Sequence, residues 1–329
     1  MKDLATRILR GDLRAASRLI RDVDDGRSSA VPQLQALFPH TGRATVLGIT
    51  GAPGAGKSSL VDLLVTHYRK LGKTVGVVAV DPTSPFSGGA LLGDRIRMQG
   101  HASDDGVFIR SLATRGHLGG LSRAAADAVR VMDAMGKDLV IVETVGVGQD
   151  EIDIAGLAHC VVVVVVPGMG DDIQAIKAGI LEVADIFDVN KADRVGADRT
   201  VRDLRAMLEL RHAANDRVPV DSKTQWEPPI VKTVAVGGKG LSGLSDLTEA
   251  IAQQLAFLDS SGGRALREAH RSRTEFLAIL RERLLASALR RLEREKGRLD
   301  DVAGRIARHE ADPWSIADEL ARGIASGLE

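Results

Sequence analysis

The pattern of apolar and polar positions divides the chain into three stretches. Over residues 1–38, apolar residues recur at helical spacing between Arg and Asp, which predicts helices. From Thr45 onward, short runs rich in Val and Ile alternate with longer helical stretches. Beyond a Ser/Gly linker at residues 260–263 only helical spacing remains, which predicts one long helix over residues 264–298 and another after Pro313.

Seven apolar runs of the middle stretch predict strands. Their Val and Ile content is nearly continuous, which is typical of strands buried on both faces of a sheet. Because the runs alternate with helices, the predicted fold class is α/β, with a doubly wound, mostly parallel sheet and helical extensions at both ends. The predicted strands are Val46–Thr50, Thr74–Val80, Val107–Arg110, Leu139–Val142, Val161–Val166, Ile186–Val189 and Val231–Ala235.

Three segments follow from this organisation. The pattern predicts an N-terminal helical extension over residues 1–42, an α/β domain over residues 43–258 and a C-terminal helical arm over residues 259–329. The arm is a candidate dimerisation element. A packed helical appendage is an equal alternative for it.

Composition and charge narrow the class of protein. Lys+Arg and Asp+Glu each total 44 among 329 residues, so no overall basic field attracts nucleic acid or anionic lipid. The single cysteine, Cys160, excludes an internal disulfide, and its apolar neighbours predict a buried side chain. The N-terminus lacks a signal-peptide core, and the longest apolar run, residues 160–167, is too short to span a bilayer. We therefore expect a soluble, cytoplasmic protein with no nucleic-acid or membrane partner.

Residues 51–58 read Gly-Ala-Pro-Gly-Ala-Gly-Lys-Ser, the complete P-loop pattern, and a predicted helix over Ser59–Leu71 follows them. Glycines allow backbone N–H groups to turn toward phosphate oxygens, and the helix N-terminus attracts the same anions. Lys57 supplies a charge to the β- and γ-phosphates, and the Ser58 hydroxyl is a ligand for Mg²⁺. A plain Gly-rich turn is the alternative, which the Lys-Ser pair disfavours. The predicted nucleotide contacts in this loop are Gly51, Ala52, Gly54, Ala55, Gly56, Lys57, Ser58 and Ser59.

Three carboxylates stand where a metal site of a P-loop protein is expected. Glu143 closes a buried strand and precedes a glycine by three residues, although most P-loop GTPases place Asp there. Asp81 closes another strand, and Asp94 follows in a Gly-rich stretch that is a candidate for a mobile segment sensing the γ-phosphate. Such acids hold Mg²⁺ directly or through water. The predicted metal ligands are Ser58, Asp81, Asp94 and Glu143, and the predicted catalytic residues are Lys57, Glu143 and Asp94.

Asn190-Lys191-Ala-Asp193 follows a predicted strand and matches the Asn-Lys-x-Asp pattern that selects guanine in P-loop proteins. The Asp193 carboxylate can accept hydrogen bonds from the ring N1–H and the exocyclic amine of guanine, which adenine does not offer in that arrangement. Lys191 can lie over the base. Ala235 and Val236, after the last predicted strand, are expected to contribute through the backbone. A helix N-cap formed by Asp193 is an alternative compatible with base binding.

With these motifs in place, the chain resembles the MeaB/ArgK-type G-protein chaperones of adenosylcobalamin-dependent methylmalonyl-CoA mutase. The similarity runs from about residue 3 to residue 258. Long matching segments carry it, such as Gly-Gly-x-Leu-Leu-Gly-Asp-Arg-Ile-Arg-Met at residues 88–98 and Val-Glu-Thr-Val-Gly-Val-Gly-Gln at residues 142–149. Other matches lie at residues 48–58, 79–82, 115–120 and 167–177.

The resemblance implies a GTPase of the SIMIBI class, generally a homodimer, that converts GTP to GDP and phosphate. Such proteins gate cofactor loading into the mutase and protect or reactivate it, so an adenosylcobalamin-dependent acyl-CoA mutase is the expected partner. The family's metal acids correspond to Asp81, Asp94 and Glu143, and its switch segments to residues 81–98, 143–150 and 168–179. The chain departs from the family at residues 85–87, and at Ala235, where Ser is common.

Three other functions stay open. A nickel-insertion GTPase needs His- or Cys-rich metal sites, and the eight His of this chain do not cluster. A P-loop kinase is disfavoured by Asn190–Asp193. A pure binding switch would bind GTP without needing hydrolysis. No intrinsic arginine finger is evident and Gln149 has no assigned role, so a slow, partner-stimulated GTPase is expected.

Overall fold

A computed structural model of the chain describes residues 3–82, 99–101, 103–114, 123–144, 153–168, 178–215, 226–236, 241–294 and 298–325. These residues form a seven-stranded sheet of order β3-β2-β4-β1-β5-β6-β7, and every pair of neighbouring strands is parallel. The strands are β1 (Thr45–Gly51), β2 (Val75–Pro82), β3 (Val107–Thr114), β4 (Leu139–Thr144), β5 (Cys160–Val165), β6 (Ile186–Val189) and β7 (Ile230–Lys232).

Helices cover both faces of this sheet, as the predicted doubly wound fold requires. The helices are α1 (Asp3–Leu9), α2 (Leu13–Asp24), α3 (Val31–Leu37), α4 (Lys57–Lys70), α5 (Arg123–Ala134), α6 (Ala178–Val183), α7 (Ala197–Asn215), α8 (Leu244–Ser260), α9 (Gly263–Arg294), α10 (Arg298–Ala307) and α11 (Pro313–Ala325). Short 3-10 turns occur at Ser28–Ala30, Phe38–His40, Gln99–His101 and Ile154–Gly156.

Two apolar clusters, one on each face, form the core. The first joins the N-terminal helices with α5 and α7. The second joins α4 and α8 with the other face of the strands. Cys160 is fully buried in the second cluster, which confirms its predicted role as a small apolar side chain, and burial raises the pKa of its thiol. The near-continuous Val and Ile runs are explained by this two-sided burial.

The predicted strands are all present, β6 with the predicted bounds and the others with shifted ends. β3 continues four residues beyond Arg110, whereas β7 ends at Lys232, so that Thr233–Ala235 form a loop rather than the end of a strand. The helix after the P-loop begins at Lys57 instead of Ser59. The long helix predicted over residues 264–298 is confirmed over its described part by α9, whereas α10, which begins at Arg298, was not predicted as a separate helix.

By its internal contacts, the chain divides into two compact units, Met1–Arg267 and Glu268–Glu329. The first contains the sheet and the N-terminal helices. The second is helical and exposes several large apolar side chains among its described residues: Phe276, Leu277, Leu280, Leu284, Leu285, Leu289, Leu299 and Trp314. The boundaries near residues 42 and 258 stay predictions.

A bidentate ion pair joins the end of the first unit to the sheet. Arg267 donates to both carboxylate oxygens of Asp185, at 2.7 and 2.9 Å, and to the carbonyl of His159 at 2.7 Å. The Asp185 side chain is only 5% exposed, and it also accepts from the backbone N–H of Val161. Paired charges in this geometry fix the start of α9 at the N-terminal ends of β5 and β6.

Replacing Arg267 with alanine is expected to lower the free energy of unfolding by about 2 kcal/mol, because Asp185 loses its cation while staying buried. The loss is smaller than for a fully buried pair, since the Arg267 side chain is 38% exposed. Urea denaturation followed by circular dichroism measures it. The matched control is Arg264→Ala, which removes an exposed pair with Asp259 and should leave the free energy of unfolding nearly unchanged. Equal losses in both variants would contradict the assignment.

Candidate functional site

A cavity of about 720 Å³ opens at the carboxyl end of the parallel strands. This is the edge at which open α/β sheets bind ligands, because the loops that follow the strands converge there. The P-loop after β1, the carboxyl-terminal parts of β2 and β4, and the loops after β6 and β7 supply its walls. The lining residues are Pro53, Gly54, Gly56, Lys57, Ser58, Ser59, Ala79, Val80, Glu143, Thr144, Asn190, Lys191, Asp193, Arg194 and Val236.

Two glycines of the P-loop are required by its shape. Gly51 has φ of 132°, and a Cβ there would lie 2.1 Å from the carbonyl oxygen of Val164 on β5. Gly56 has φ of 93°, and a Cβ there would lie 2.4 Å from the side-chain nitrogen of Asn190. Any other residue would therefore push the loop away from β5 or from Asn190. The glycine spacing of the motif thus places the loop against the neighbouring strand ends.

Lys57 and Ser58 start α4 and lie at the floor of the cavity. The Lys57 ammonium donates to the carbonyl oxygens of Gly51 and Ala52, at 2.7 and 3.0 Å. The Ser58 hydroxyl donates to Glu143 Oε1 at 2.7 Å, and both side chains are buried. The sequence motifs at the ends of β1 and β4 are thereby brought into direct contact. An ammonium group, a hydroxyl and a carboxylate lie together at the N-terminus of a helix, where anions are favoured.

Asn190 connects three loops through its buried side chain. Its Nδ2 donates to the carbonyl oxygen of Ala55 in the P-loop at 2.9 Å. Its Oδ1 accepts from the backbone N–H groups of Lys191 at 2.8 Å and Ala235 at 3.1 Å. Asn190 is therefore a brace between the P-loop and the loop after β7. Its side chain therefore holds the walls of the cavity together.

Lys191 and Asp193 differ from Asn190, and from each other, in how their side chains lie at the cavity. Lys191 has a left-handed backbone, with φ of 57°, and its ammonium donates to the carbonyl oxygen of Gly54 at 2.7 Å. Its alkyl chain therefore crosses one wall of the cavity toward the P-loop. Asp193 is exposed at the cavity and does not cap α7, which begins only at Ala197. The alternative of a helix N-cap formed by Asp193 is therefore wrong, and its carboxylate is open to a ligand.

The structure brings together most of the predicted site residues. Asp94 lies outside the described residues. Only the backbone of Asp81 is described; it lies near the end of β2, directly after Val80, which pairs with Thr144 of β4. Five cavity residues are missing from the predicted set, namely Pro53, Ala79, Val80, Thr144 and Arg194. The Thr144 hydroxyl donates to that of Thr50 at 2.8 Å, which ties the ends of β1 and β4 together. A strand-end Thr carries no motif that would have singled it out.

A P-loop that connects β1 to α4, together with an Asn-Lys-x-Asp loop beside it, is the combination that defines a P-loop GTPase. The family described as "Methylmalonyl Co-A mutase-associated GTPase MeaB" matches residues 16–293. The chain belongs to this family and is a GTPase, which confirms the resemblance seen in the sequence.

Individual relatives agree. A protein of Pyrococcus horikoshii named as a GTPase is 46% identical over 322 residues, covering 98% of each chain. The GTPase ArgK of Escherichia coli is 38% identical over 210 residues, covering 63% of this chain and 61% of its own. The crystal structure of an LAO/AO transport system kinase superposes with a TM-score of 0.66 at 22% identity, covering 98% of this chain and 97% of that one, and supports the fold. In the part of the chain that the structure describes, no helix combines the length and apolar character of a membrane span.

Proposed function

We propose that this GTPase is a chaperone that gates cofactor loading into an adenosylcobalamin-dependent acyl-CoA mutase, methylmalonyl-CoA mutase being the first candidate, and protects or reactivates it. The observation that carries the nucleotide part is the convergence of Lys57, the Ser58–Glu143 pair and Asp193 on one cavity. The family description, which associates its members with methylmalonyl-CoA mutase, supports the partner. A cytoplasmic location is part of the proposal.

Catalysis of GTP hydrolysis at this site comes mainly from electrostatic stabilisation of the transition state. Lys57 exchanges the carbonyl oxygens of Gly51 and Ala52 for the phosphate oxygens of the nucleotide, which carry full negative charge. The backbone N–H groups of the P-loop and the N-terminus of α4 add to this field. Because these donors are fixed before the reaction, they stabilise the charge that builds up on the transferred phosphoryl group.

The residues present fit Mg²⁺. Ser58 Oγ and Glu143 Oε1 are hard oxygen donors 2.7 Å apart, buried at the phosphate side of the cavity. Asp81 is the penultimate residue of the neighbouring strand β2, at the same edge of the sheet. Ser58, Glu143 and Asp81 would hold the ion, with Asp94 as a further proposed ligand. When bound, Mg²⁺ would neutralise part of the negative charge of the nucleotide phosphates.

A homodimer is also proposed. The support is the set of large apolar side chains exposed on the helical unit Glu268–Glu329, among them Phe276, Leu280 and Leu284. Residues at this spacing lie along one side of a helix. An apolar stripe of this kind is typical of a surface that pairs with another helix. The arm over residues 259–329 is accordingly the proposed dimerisation element.

The partner is tested with purified chain and purified methylmalonyl-CoA mutase. A complex should form with GTP or a non-hydrolysable analogue, and single-turnover hydrolysis should be faster with the mutase than without it. A hydrolysis rate that does not depend on the mutase would contradict coupling between GTP hydrolysis and the partner. Identical cofactor loading with GTP and with the analogue would mean that the chain acts only as a binding switch. The control replaces the mutase with an acyl-CoA enzyme that does not use cobalamin.

A further inference from the structure

The carboxyl group of Asp188, near the predicted guanine-binding loop, has no role in the hydrolysis mechanism described above. Asp188 lies in β6, two residues before Asn190, and is 0% exposed. Successive strand residues face opposite sides of the sheet. Phe187 and Val189 join the apolar cluster that contains α7, whereas Ile186 joins the cluster that contains α8. Asp188 therefore faces the α8 side, among apolar residues, where a charged carboxylate is strongly disfavoured.

The contacts of Asp188 run through one hydroxyl group. Thr233 Oγ1 lies 2.9 Å from Asp188 Oδ2 and 3.3 Å from Asn190 Oδ1, and all three side chains are buried. The other carboxyl oxygen, Oδ1, is buried and has no hydrogen-bond partner among the described residues. Thr233 is thus the link between a buried acid and the residue that braces the base loop.

The number of hydrogen atoms shared by the Asp188 carboxyl group and the Thr233 hydroxyl determines which of the two contacts can form. A threonine hydroxyl carries a single hydrogen, so it can donate fully to one oxygen only. If Asp188 is ionised, that hydrogen goes to the carboxylate, and the contact with Asn190 is lost. If Asp188 is protonated, its own hydrogen goes to Thr233, and the Thr233 hydrogen is free for Asn190. Only the protonated form makes both contacts at once.

Among the residues that the structure describes, no charged neighbour stabilises the ionised form of Asp188. The charged groups of the described elements around Asp188 are occupied elsewhere or point to solvent. Lys232 on β7 pairs with Asp198, Lys57 and Lys191 bind P-loop carbonyls, Asp246 and Glu249 on α8 are exposed, and Cys160 on β5 is a buried thiol. Burial raises the pKa of Asp188 to about 7, against the smaller opposite effect of the Thr233 hydrogen bond.

We propose that Asp188 is a positioning residue of the guanine site, held as the neutral acid, which donates to Thr233 so that Thr233 can donate to Asn190. The proposal rests on the guanine-binding role proposed for the Asn190–Asp193 loop. Ionisation of Asp188 removes a hydrogen bond from the Asn190 brace, so protonation of Asp188 and guanine binding favour each other. The affinity for GDP therefore falls as pH rises through the pKa of Asp188.

The test measures GDP dissociation constants from about pH 6 to pH 8.5, at constant Mg²⁺, for the parent chain and Asp188→Asn. The amide donates to Thr233 at every pH, whereas the carboxyl group donates only when protonated. Titration of the nucleotide phosphates affects both proteins alike, so the ratio of parent to variant dissociation constants isolates Asp188. We expect this ratio to rise about fivefold over the range, the effect of one neutral hydrogen bond.

Infrared spectra provide a readout that does not depend on affinity. At about pH 6 the parent should show the carbonyl band of a buried protonated carboxylic acid, and this band should be absent from Asp188→Asn. If that variant does not fold, Thr233→Val replaces it, and its GDP affinity should lack the parent's loss at high pH. A flat ratio or a missing band overturns the proposal. A parent that binds ADP as tightly as GDP would instead refute the guanine assignment, whatever the pH profile.

Discussion

Replacement of Lys57 by alanine is expected to lower kcat for GTP hydrolysis by about 10²–10³-fold, the range found when one preorganised donor to a developing charge is removed. The ammonium is buried at the floor of the cavity and already lies within the P-loop, so it needs little rearrangement to reach phosphate oxygens. Single-turnover kinetics at saturating GTP, with and without the mutase, measure the effect.

The matched control is Lys70→Ala, which removes an exposed lysine from the other end of α4 and should leave kcat within about twofold. Circular dichroism checks that both variants fold. Lys57→Arg keeps the charge but not the compact shape of the ammonium group, and an intermediate loss is expected from it. A Lys57→Ala rate within about tenfold of the parent would mean that the phosphoryl charge is stabilised elsewhere.

The sequence predicts the P-loop and the sheet well because both depend on local features. Glycine at positions 51 and 56 is required by backbone angles and close approaches that no larger residue tolerates. The strands are buried on both faces, so their composition alone separates them from the helices around them. Strand ends were less accurate, since the end of β7 at Lys232 depends on where its partner β6 ends.

The contacts that complete the site were beyond sequence reasoning. Asn190 and Ala55 are 135 positions apart, and only the order of strands in the sheet brings them within 2.9 Å. The motif predicts a guanine-binding role for Asn190, but its use as a brace for the P-loop is visible only in three dimensions. Asp188 stands in an apolar strand without any motif, and its partner Thr233 was assigned to a strand instead of a loop.

Replacement of Asp193 by asparagine is expected to weaken GTP binding by more than about tenfold, because a charge-assisted hydrogen bond contributes roughly 1.5–3 kcal/mol. In the proposed contact, the carboxylate accepts from both N1–H and the exocyclic amine of guanine, whereas an amide presents one acceptor and one donor. The amide donor would face the amine of guanine without a partner. Isothermal titration calorimetry with GDP, GTP and ATP measures the change.

The same geometry predicts that the variant gains affinity for a different base, a result that an unfolded variant could not give. Xanthine carries a carbonyl oxygen where guanine carries the exocyclic amine, so the side-chain amide introduced by Asp193→Asn can donate to it while still accepting from N1–H. This variant should therefore bind xanthosine triphosphate more tightly than the parent does. Asp198→Asn is the matched control, because this exposed aspartate lies in α7, outside the cavity, and pairs only with Lys232 among the described contacts. Equal affinity of the parent for ATP and GTP, or no gain for xanthosine triphosphate, would show that Asp193 does not read the base.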